Sequence, residues 1–180
     1  MTVATIQVVR SGARVTVLAV LLASAYPAMA PAANRDAPPH DAAAEFAAEG
    51  WAFRLGTSLA ELKAVGRVQR EVVSAVKNRH VQNQVDEIRD LYYDGLYVSA
   101  YFPAKDHTRL LLQAVEITSP RFAIKHGLNV GSSLAKLKAA LGEPNAVEKD
   151  VYAYIGEGNT VSFTINGGVI TKVRWALYLD

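Results

Sequence analysis

The chain has no cysteine among its 180 residues, and this absence excludes several kinds of chemistry. Disulfide bonds, thiolate metal ligands and cysteine nucleophiles all require a thiol. A lipid anchor of the bacterial lipoprotein kind is excluded as well, because it needs a cysteine at the cleavage point. The fold is therefore expected to hold without covalent cross-links.

The first thirty residues lack acidic side chains, and the first acidic residue of the chain is Asp36. They carry Arg10 and Arg14, then an apolar run over 15–25, then small residues in an A-x-A arrangement. This layout predicts a signal peptide over residues 1–30, with an apolar core too short to span a membrane. The competing interpretation is an ordinary N-terminal helix, and the cleavage position stays open.

Long basic runs are missing from the rest of the chain. Two of the 19 basic residues and none of the 17 acidic ones lie in the predicted signal peptide, so the remainder is formally neutral. This balance argues against a nucleic-acid partner. Without a second long apolar run, no stable membrane insertion is expected after signal removal. The predicted location is the periplasm or the outside of the cell.

The segment 31–50, PAANRDAPPHDAAAEFAAEG, is rich in alanine and proline. Pro38 and Pro39 block a helix through it, although its end suits a turn or two of helix. We interpret this segment as a tether. The folded domain is predicted to begin near Trp51.

One phrase occurs twice in the chain, as GTSLAELKAVGRV from Gly56 and as GSSLAKLKAALGEP from Gly131. In each copy the glycine precedes hydroxyl residues suited to cap a helix, and leucines at helical spacing follow. The second copy also has a stop signal, because Pro144 follows Gly142. Each copy is predicted to form a short helix that must lie on another element.

Strand patterns follow each predicted helix. VYAYI, TVSFTI and GVITKVRWALYL come after the second helix, and Asn166-Gly167-Gly168 is a hairpin signal between the last two. EIRDLYY and LYVSAYF come after the first helix and flank Asp94-Gly95, and TRLLLQAVEIT supplies a third strand. Each half therefore predicts a helix followed by a meander.

The predicted fold class is α+β, with two tandem units that each contain a short helix followed by a three-stranded antiparallel β-meander. The first unit is predicted over 51–122 and the second over 123–180. One unit buries little apolar surface, so the two are expected to share a core or to continue one sheet. Residues 70–91 fit a helix or a strand-loop-strand; a strand over 70–76 and a loop over 77–86 are favoured.

The phrase GSSLAKLKAALGEP, followed by YAYI, VSFTI, NGG and VRWALYLD, resembles the repeat unit of the SmpA/BamE-type outer-membrane assembly lipoproteins. A tandem pair of such units is similar to the secreted β-lactamase inhibitor proteins. The resemblance covers residues 128–179 best, and it implies a fold but no chemistry. This chain lacks the lipobox cysteine of the first family and the cysteines of the second. Docking at the assembly machine and inhibition of a β-lactamase are therefore not implied.

The densest polar cluster is KNRHVQNQVDE, which contains Asn78, His80, Gln84 and Asp86. These side chains suit a recognition loop, or they cap turns and satisfy backbone groups across a long connection. A metal site needs His80 and Asp86 to converge with a third ligand, for which the imidazole suppliers are His107 and His126. The alternative function is accordingly a small-ligand or metal-binding periplasmic module centred on His80 and Asp86, in a pocket between the two units.

Tyrosines surround the Asp94-Gly95 turn. On a strand, Leu96, Val98, Ala100 and Phe102 share the core face, and Tyr97 and Tyr101 point the other way. With Tyr93 across the turn, these two are predicted to form an aromatic strip suited to a protein interface. The other interpretation is that this face is covered, which would make the tyrosines core residues with satisfied hydroxyl groups.

No arrangement of residues predicts catalysis. Ser58, Ser132 and Ser133 occupy helix-start positions, and no G-x-S-x-G motif occurs. We predict a non-enzymatic exported protein without a cofactor that binds another envelope or secreted protein, as an inhibitor, an immunity factor or an assembly accessory. The predicted partner-binding residues are the polar cluster and the aromatic strip: Asn78, His80, Gln84, Asp86, Tyr93, Tyr97 and Tyr101.

Overall fold

The computed structural model describes residues 40–106 and 109–178. The predicted signal peptide and His107 lie outside these residues. The helices are α1 (His40–Ala48), α2 (Leu59–Ala64) and α3 (Leu134–Leu141), with a 3₁₀ turn at Lys125–Gly127. The strands are β1 (Arg70–Lys77), β2 (Val85–Tyr93), β3 (Leu96–Phe102), β4 (Leu111–Ile117), β5 (Ala146–Glu148), β6 (Val151–Ile155), β7 (Thr160–Asn166) and β8 (Val169–Ala176).

The strands form one antiparallel sheet of eight, in the order β1-β2-β3-β4-β8-β7-β6-β5. The prediction of two units with three-stranded meanders is therefore wrong. Each half contributes four strands, and the halves join where the last strand of each, β4 and β8, pair with each other. Joining them removes two free edges and completes one continuous ladder of hydrogen bonds. The duplication thus produces one sheet, with equivalent strands at mirrored distances from its centre.

The additional strand in each half lies at an outer edge of the sheet. β1 belongs to the segment whose valines fit either a helix or a strand, and the prediction of a strand there is confirmed. The loop that follows is shorter than the predicted 77–86, because β1 continues to Lys77 and β2 begins at Val85. β5 contains only three residues, all exposed. So short a run has no alternation that sequence analysis detects.

Both predicted repeat helices are confirmed. The Ser58 hydroxyl accepts a hydrogen bond from the Glu61 amide at the start of α2. The Ser133 hydroxyl accepts one from the Lys136 amide at the start of α3. These bonds satisfy amide groups that have no partner inside the helix. Each helix then buries leucines against the sheet: Leu62 from α2, Leu137 and Leu141 from α3.

Helix α1 lies in the segment that sequence analysis assigned to a tether. Its Phe46 is 1% exposed and belongs to the single hydrophobic core. The rings of Phe46 and Trp175 lie 5.8 Å apart, and the indole of Trp175 donates a 3.0 Å hydrogen bond to the Phe46 carbonyl oxygen. The described end of that segment is thus part of the folded domain. Within the described residues, no helix has the length and apolarity needed to cross a bilayer.

Candidate functional site

The two faces of the sheet differ in what covers them. One face carries buried residues from both halves, including Val98, Val115, Phe163 and Trp175, and the described helices pack into the same core. Since side chains alternate along a strand, the residues between these point to the opposite face. This open face carries aromatic, polar and charged side chains from both halves. The candidate site lies on this face.

Four side chains form a stacked row across the open face, here called the tyrosine strip: Arg70, Tyr92, Tyr97 and Arg174. The Arg70 guanidinium lies 3.8 Å from the centre of the Tyr92 ring. The Tyr92 and Tyr97 rings lie 5.0 Å apart because the two residues are directly paired between β2 and β3. Arg174, from the other half of the chain, lies 5.9 Å from the Tyr97 ring. The strip therefore spans the junction of the two halves.

Polar contacts fix the orientation of the strip. The Tyr97 hydroxyl donates a 2.8 Å hydrogen bond to the Asp90 carboxylate. Burial of the ring, and then this bond, raise the pKa of Tyr97 above its ordinary value. On the far side, the Glu116 carboxylate lies 3.1 Å from the Arg174 guanidinium and 3.9 Å from the Lys172 ammonium group. Aromatic rings held in one orientation lose little conformational freedom when a partner binds.

The prediction that Tyr93 belongs to this strip is wrong. Tyr93 pairs with Leu96 across the two-residue turn and points into the core, where it is 6% exposed. Its hydroxyl donates a 2.7 Å hydrogen bond to the Leu62 carbonyl oxygen at the end of α2. Burial raises the pKa of Tyr93 to about 12. Tyr92, its neighbour in sequence, takes the predicted place beside Tyr97.

The predicted core face of β3 is confirmed, because Leu96, Val98, Ala100 and Phe102 are all buried. Tyr97 and Tyr101 lie on the opposite face, as predicted, but they have different surroundings. Tyr97 belongs to the tyrosine strip. Tyr101 lies outside the strip, and its hydroxyl donates a hydrogen bond to the Asp86 carboxylate.

Asp86 is the centre of a hydrogen-bonded cluster, here called the Asp86 network: Asn78, Gln84, Asp86 and Tyr101, with the Ala104 amide. One carboxylate oxygen accepts from the Gln84 side-chain amide at 2.7 Å and from the Ala104 backbone amide at 2.8 Å. The other accepts from the Asn78 side-chain amide at 2.7 Å and from the Tyr101 hydroxyl. Asp86 itself is fully buried. Three separate segments are held together through this one carboxylate.

The charge of Asp86 is stabilised by these bonds. Burial alone raises the pKa of a carboxyl group, but the four donors favour the ionised form and hold the pKa of Asp86 well below its ordinary value. The same contact raises the pKa of Tyr101, because the phenol donates to an anion. With two donors on each oxygen, the Asp86 carboxylate is fully engaged inside the protein. The network therefore holds the loop in place.

His80 is exposed, whereas Asp86 is buried. Its backbone amide donates a 2.8 Å hydrogen bond to the Asn78 side-chain oxygen, which fixes a turn, and its residue surface is exposed. Among the described residues, no group of three or more histidine, aspartate or glutamate side chains has the spacing of a metal site. Neither His80 nor Asp86 lines the clefts that open beside Arg121, beside Tyr97 or beside Trp51. His126 lies elsewhere, 5.8 Å from the Phe46 ring.

A shallow groove of about 370 Å³ runs beside the tyrosine strip and is lined by Tyr92, Tyr97, Glu116, Thr118 and Arg174, among others. A larger cleft of about 750 Å³ opens between the loop after α2 and Arg121. Neither His80 nor Asp86 lines either of them. The groove that borders the strip is thus lined by residues from both halves of the chain.

Sequence analysis missed Arg70, Tyr92 and Arg174. The signal for Tyr92 was present, because a two-residue turn at Asp94-Gly95 pairs Tyr93 with Leu96 and Tyr92 with Tyr97. The signal for Arg174 was absent, because its position beside Tyr97 depends on the pairing of β4 with β8. Pairing between halves of a chain is not encoded in local spacing.

No protein-family model matches the sequence, and no curated protein matches it either. The structure is similar to the crystal structure of a DUF4309 family protein (YjgB) from Bacillus subtilis, with a TM-score of 0.43 and 13% identity. The match covers 77% of this chain and 95% of that one. So low a score carries no argument about function, and the resemblance to the SmpA/BamE-type and inhibitor proteins stays an expectation.

Proposed function

We propose that this is an exported, non-enzymatic protein that binds another envelope or secreted protein through the open face of its sheet. The observation that carries the proposal is the tyrosine strip, in which two paired tyrosines lie between two arginines on a face that the helices leave open. Tyrosine and arginine are the residue types enriched at the energetic centres of protein interfaces. The proposed roles remain those of an inhibitor, an immunity factor or an assembly accessory.

The charges around the strip favour a particular kind of partner surface. Arg174 already has a carboxylate partner in Glu116, whereas Arg70 has no ion-pair partner among residues 40–106 and 109–178. A partner that presents an apolar surface beside a carboxylate would cover Tyr92 and Tyr97 and pair with Arg70. Arginine on an aromatic face keeps donors available for such a carboxylate.

The Asp86 network supports this function indirectly. It holds the 78–84 loop and the end of β3 in place at the opposite end of these strands, about 20 Å along β2 from the strip. Asn78, Gln84, Asp86 and Tyr101 therefore act as a frame rather than as contacts. His80, exposed at the tip of the same loop, remains available to touch a partner. Rigid surfaces bind with a smaller loss of conformational entropy.

The test is photo-crosslinking in cells that produce the protein. A benzophenone amino acid is placed at Tyr92, and in a second variant at Tyr178, which is 69% exposed and lies off the strip. We expect a discrete adduct with another protein from position 92, lost when Tyr97→Ala is added, and no such adduct from position 178. Equal adducts from both positions, or none from position 92 in a protein that retains its unfolding midpoint, would overturn the proposal.

A further inference from the structure

β1 is a free edge strand whose charged residues, Arg70, Glu71 and Lys77, stand only at its two ends. All eight of its residues pair with β2 in one unbroken register, without a bulge. Both of its faces are largely exposed, with Val72 at 37% and Val73 at 49%. Natural proteins blunt such edges by shortness, proline or bulges, since the unpaired amide and carbonyl groups otherwise recruit another strand. The opposite edge, β5, is only three residues long.

The groups that β1 offers at its edge follow from its pairing with β2. The Asn78 amide donates to the Gln84 carbonyl oxygen at 2.9 Å, which makes these two residues a hydrogen-bonded pair. Such pairs alternate along an antiparallel ladder, so the even-numbered residues of β1 direct their amide and carbonyl groups to β2. Glu71, Val73, Ala75 and Lys77 therefore direct theirs outward. They form a ladder about 20 Å long that has no described strand beside it.

The sequence of β1 is complementary to itself when it is reversed. If two copies pair antiparallel about a two-fold axis at Ser74, Glu71 lies opposite Lys77 of the second copy, and Val72 lies opposite Val76. Val73 then lies opposite Ala75, and Ser74 opposite Ser74. Charges meet opposite charges, and apolar side chains meet apolar ones, which is the pairing that stabilises sheets. In this register the hydrogen-bonded pairs between the copies are Glu71 with Lys77 and Val73 with Ala75, which are the residues whose amide and carbonyl groups point outward.

Neighbouring registers lack this match. An axis at Val73 places Glu71 opposite Ala75, and an axis at Ala75 places Lys77 opposite Val73. The surroundings of Glu71 and Lys77 also favour the register centred on Ser74. Glu71 is already held in place by Lys63 at 2.7 Å and Arg89 at 2.8 Å, while the Lys77 side chain has no ion-pair partner within the described part of the chain.

We propose that the protein forms a homodimer in which β1 pairs antiparallel with β1 of a second copy, in the register centred on Ser74. The contact is isologous and closes on itself, so it yields a dimer and not a fibre. The sheet then continues across both copies, and the two tyrosine strips lie on the same side of it. This inference rests on the edge strand alone and is independent of the proposed partner-binding function.

The register is tested by disulfide trapping, which the absence of other cysteines makes unambiguous. In the proposed dimer Ser74 faces its own copy in a non-hydrogen-bonded pair, where side chains approach within disulfide range. Ser74→Cys is expected to give a covalent dimer under mild oxidation. Val72→Cys places the thiols about 13 Å apart across the axis and is expected to stay monomeric on a reducing-agent-free gel. Equal cross-linking by both variants would overturn the register.

Association itself is tested by sedimentation equilibrium of the wild type and of Ala75→Pro. Proline at 75 removes only an outward amide and leaves the bonds to β2 in place, so the fold is expected to survive. We expect a concentration-dependent doubling of mass for the wild type and a monomer for the variant. A wild type that is monomeric up to its solubility limit, or a variant that dimerises equally well, would overturn the proposal.

A second test, which does not depend on the folding of Ala75→Pro, exchanges the charges of Glu71 and Lys77. Lys77→Glu and Glu71→Lys each place like charges opposite each other in a homodimer, but restore both opposite-charge pairs in a mixed dimer. We expect each variant alone to lose dimerisation by at least about tenfold and the equimolar mixture to regain it. Failure of the mixture to associate more tightly than either variant would argue against β1 pairing.

Discussion

The indole nitrogen of Trp175 donates a hydrogen bond to the backbone oxygen of Phe46 at 3.0 Å, across 129 residues of sequence. Both residues are buried, and the Trp51 ring meets Trp175 edge-on at a centroid distance of 5.5 Å. This contact ties α1 to the last strand of the sheet. The described part of the supposed tether therefore contributes to stability.

Phe46→Ala is the substitution that tests this contribution. Loss of a fully buried phenylalanine leaves a cavity, and we expect the free energy of unfolding to fall by about 3–5 kcal/mol. Glu45→Ala, at an exposed position on the same helix, is expected to change it by less than about 0.5 kcal/mol. Urea unfolding followed by tryptophan fluorescence measures both. Equal effects of the two substitutions would show that α1 contributes no packing.

The close approach of α1 to the sheet gives a second prediction, at Gly156. A Cβ atom there would lie 2.9 Å from the Ala44 carbonyl oxygen and 3.1 Å from the Ala47 side chain. We expect Gly156→Ala to displace α1 and to lower the free energy of unfolding by about 1–3 kcal/mol.

Gly66→Ala is the matched control for Gly156→Ala. Its Cβ would meet only the Tyr93 ring, at 3.8 Å, which is an ordinary contact. The control is expected to be neutral or slightly stabilising, because alanine restricts the unfolded chain. Thermal unfolding of the two variants and the wild type compares their stabilities. A Gly156→Ala protein as stable as the wild type would mean that α1 lies farther from the sheet.

The Asp86 network predicts a dependence of stability on pH. The folded state lowers the pKa of Asp86, so its stabilising contribution is complete above the ordinary pKa of an aspartate, about 4, and is lost as the pH falls towards the depressed folded value. We expect the urea midpoint of the wild type to fall steeply below about pH 4. Asp86→Asn is expected to have a lower midpoint at neutral pH and a shallower acid decline.

Asp150→Asn, at an exposed turn position, is the control for this pH profile. It is expected to leave both the midpoint at pH 7 and the acid slope unchanged. If Asp86→Asn retained the acid slope of the wild type, the carboxylate of Asp86 would not be the group responsible.

Local patterns were sufficient to predict much of this fold. Helix caps at Ser58 and Ser133, the turns at Asp94-Gly95 and Asn166-Gly167-Gly168, and the core face of β3 each depend on a few neighbouring residues. These features follow from backbone geometry and side-chain alternation, so sequence analysis identified them.

The remaining features depend on contacts between distant segments. The pairing of β4 with β8 merges the two predicted units, and the burial of Phe46 under Trp175 decides that α1 belongs to the core. The Asp86 network draws Tyr101 and the Ala104 amide to a loop more than a dozen residues away. Such contacts leave no periodic trace in the sequence.

The exchange of Tyr93 for Tyr92 is a different kind of error, because a shift of one residue moves a side chain to the other face of a sheet. It is also the simplest to test. Tyr93→Phe removes a hydroxyl that donates to the Leu62 carbonyl oxygen in the core, and we expect the free energy of unfolding to fall by about 1–2 kcal/mol. Tyr92→Phe, on the open face, is expected to change it by less than about 0.5 kcal/mol. Urea unfolding of the pair measures the difference. The reverse order would place Tyr93 on the open face after all, because only a hydroxyl without access to water depends on a protein acceptor for its hydrogen bond.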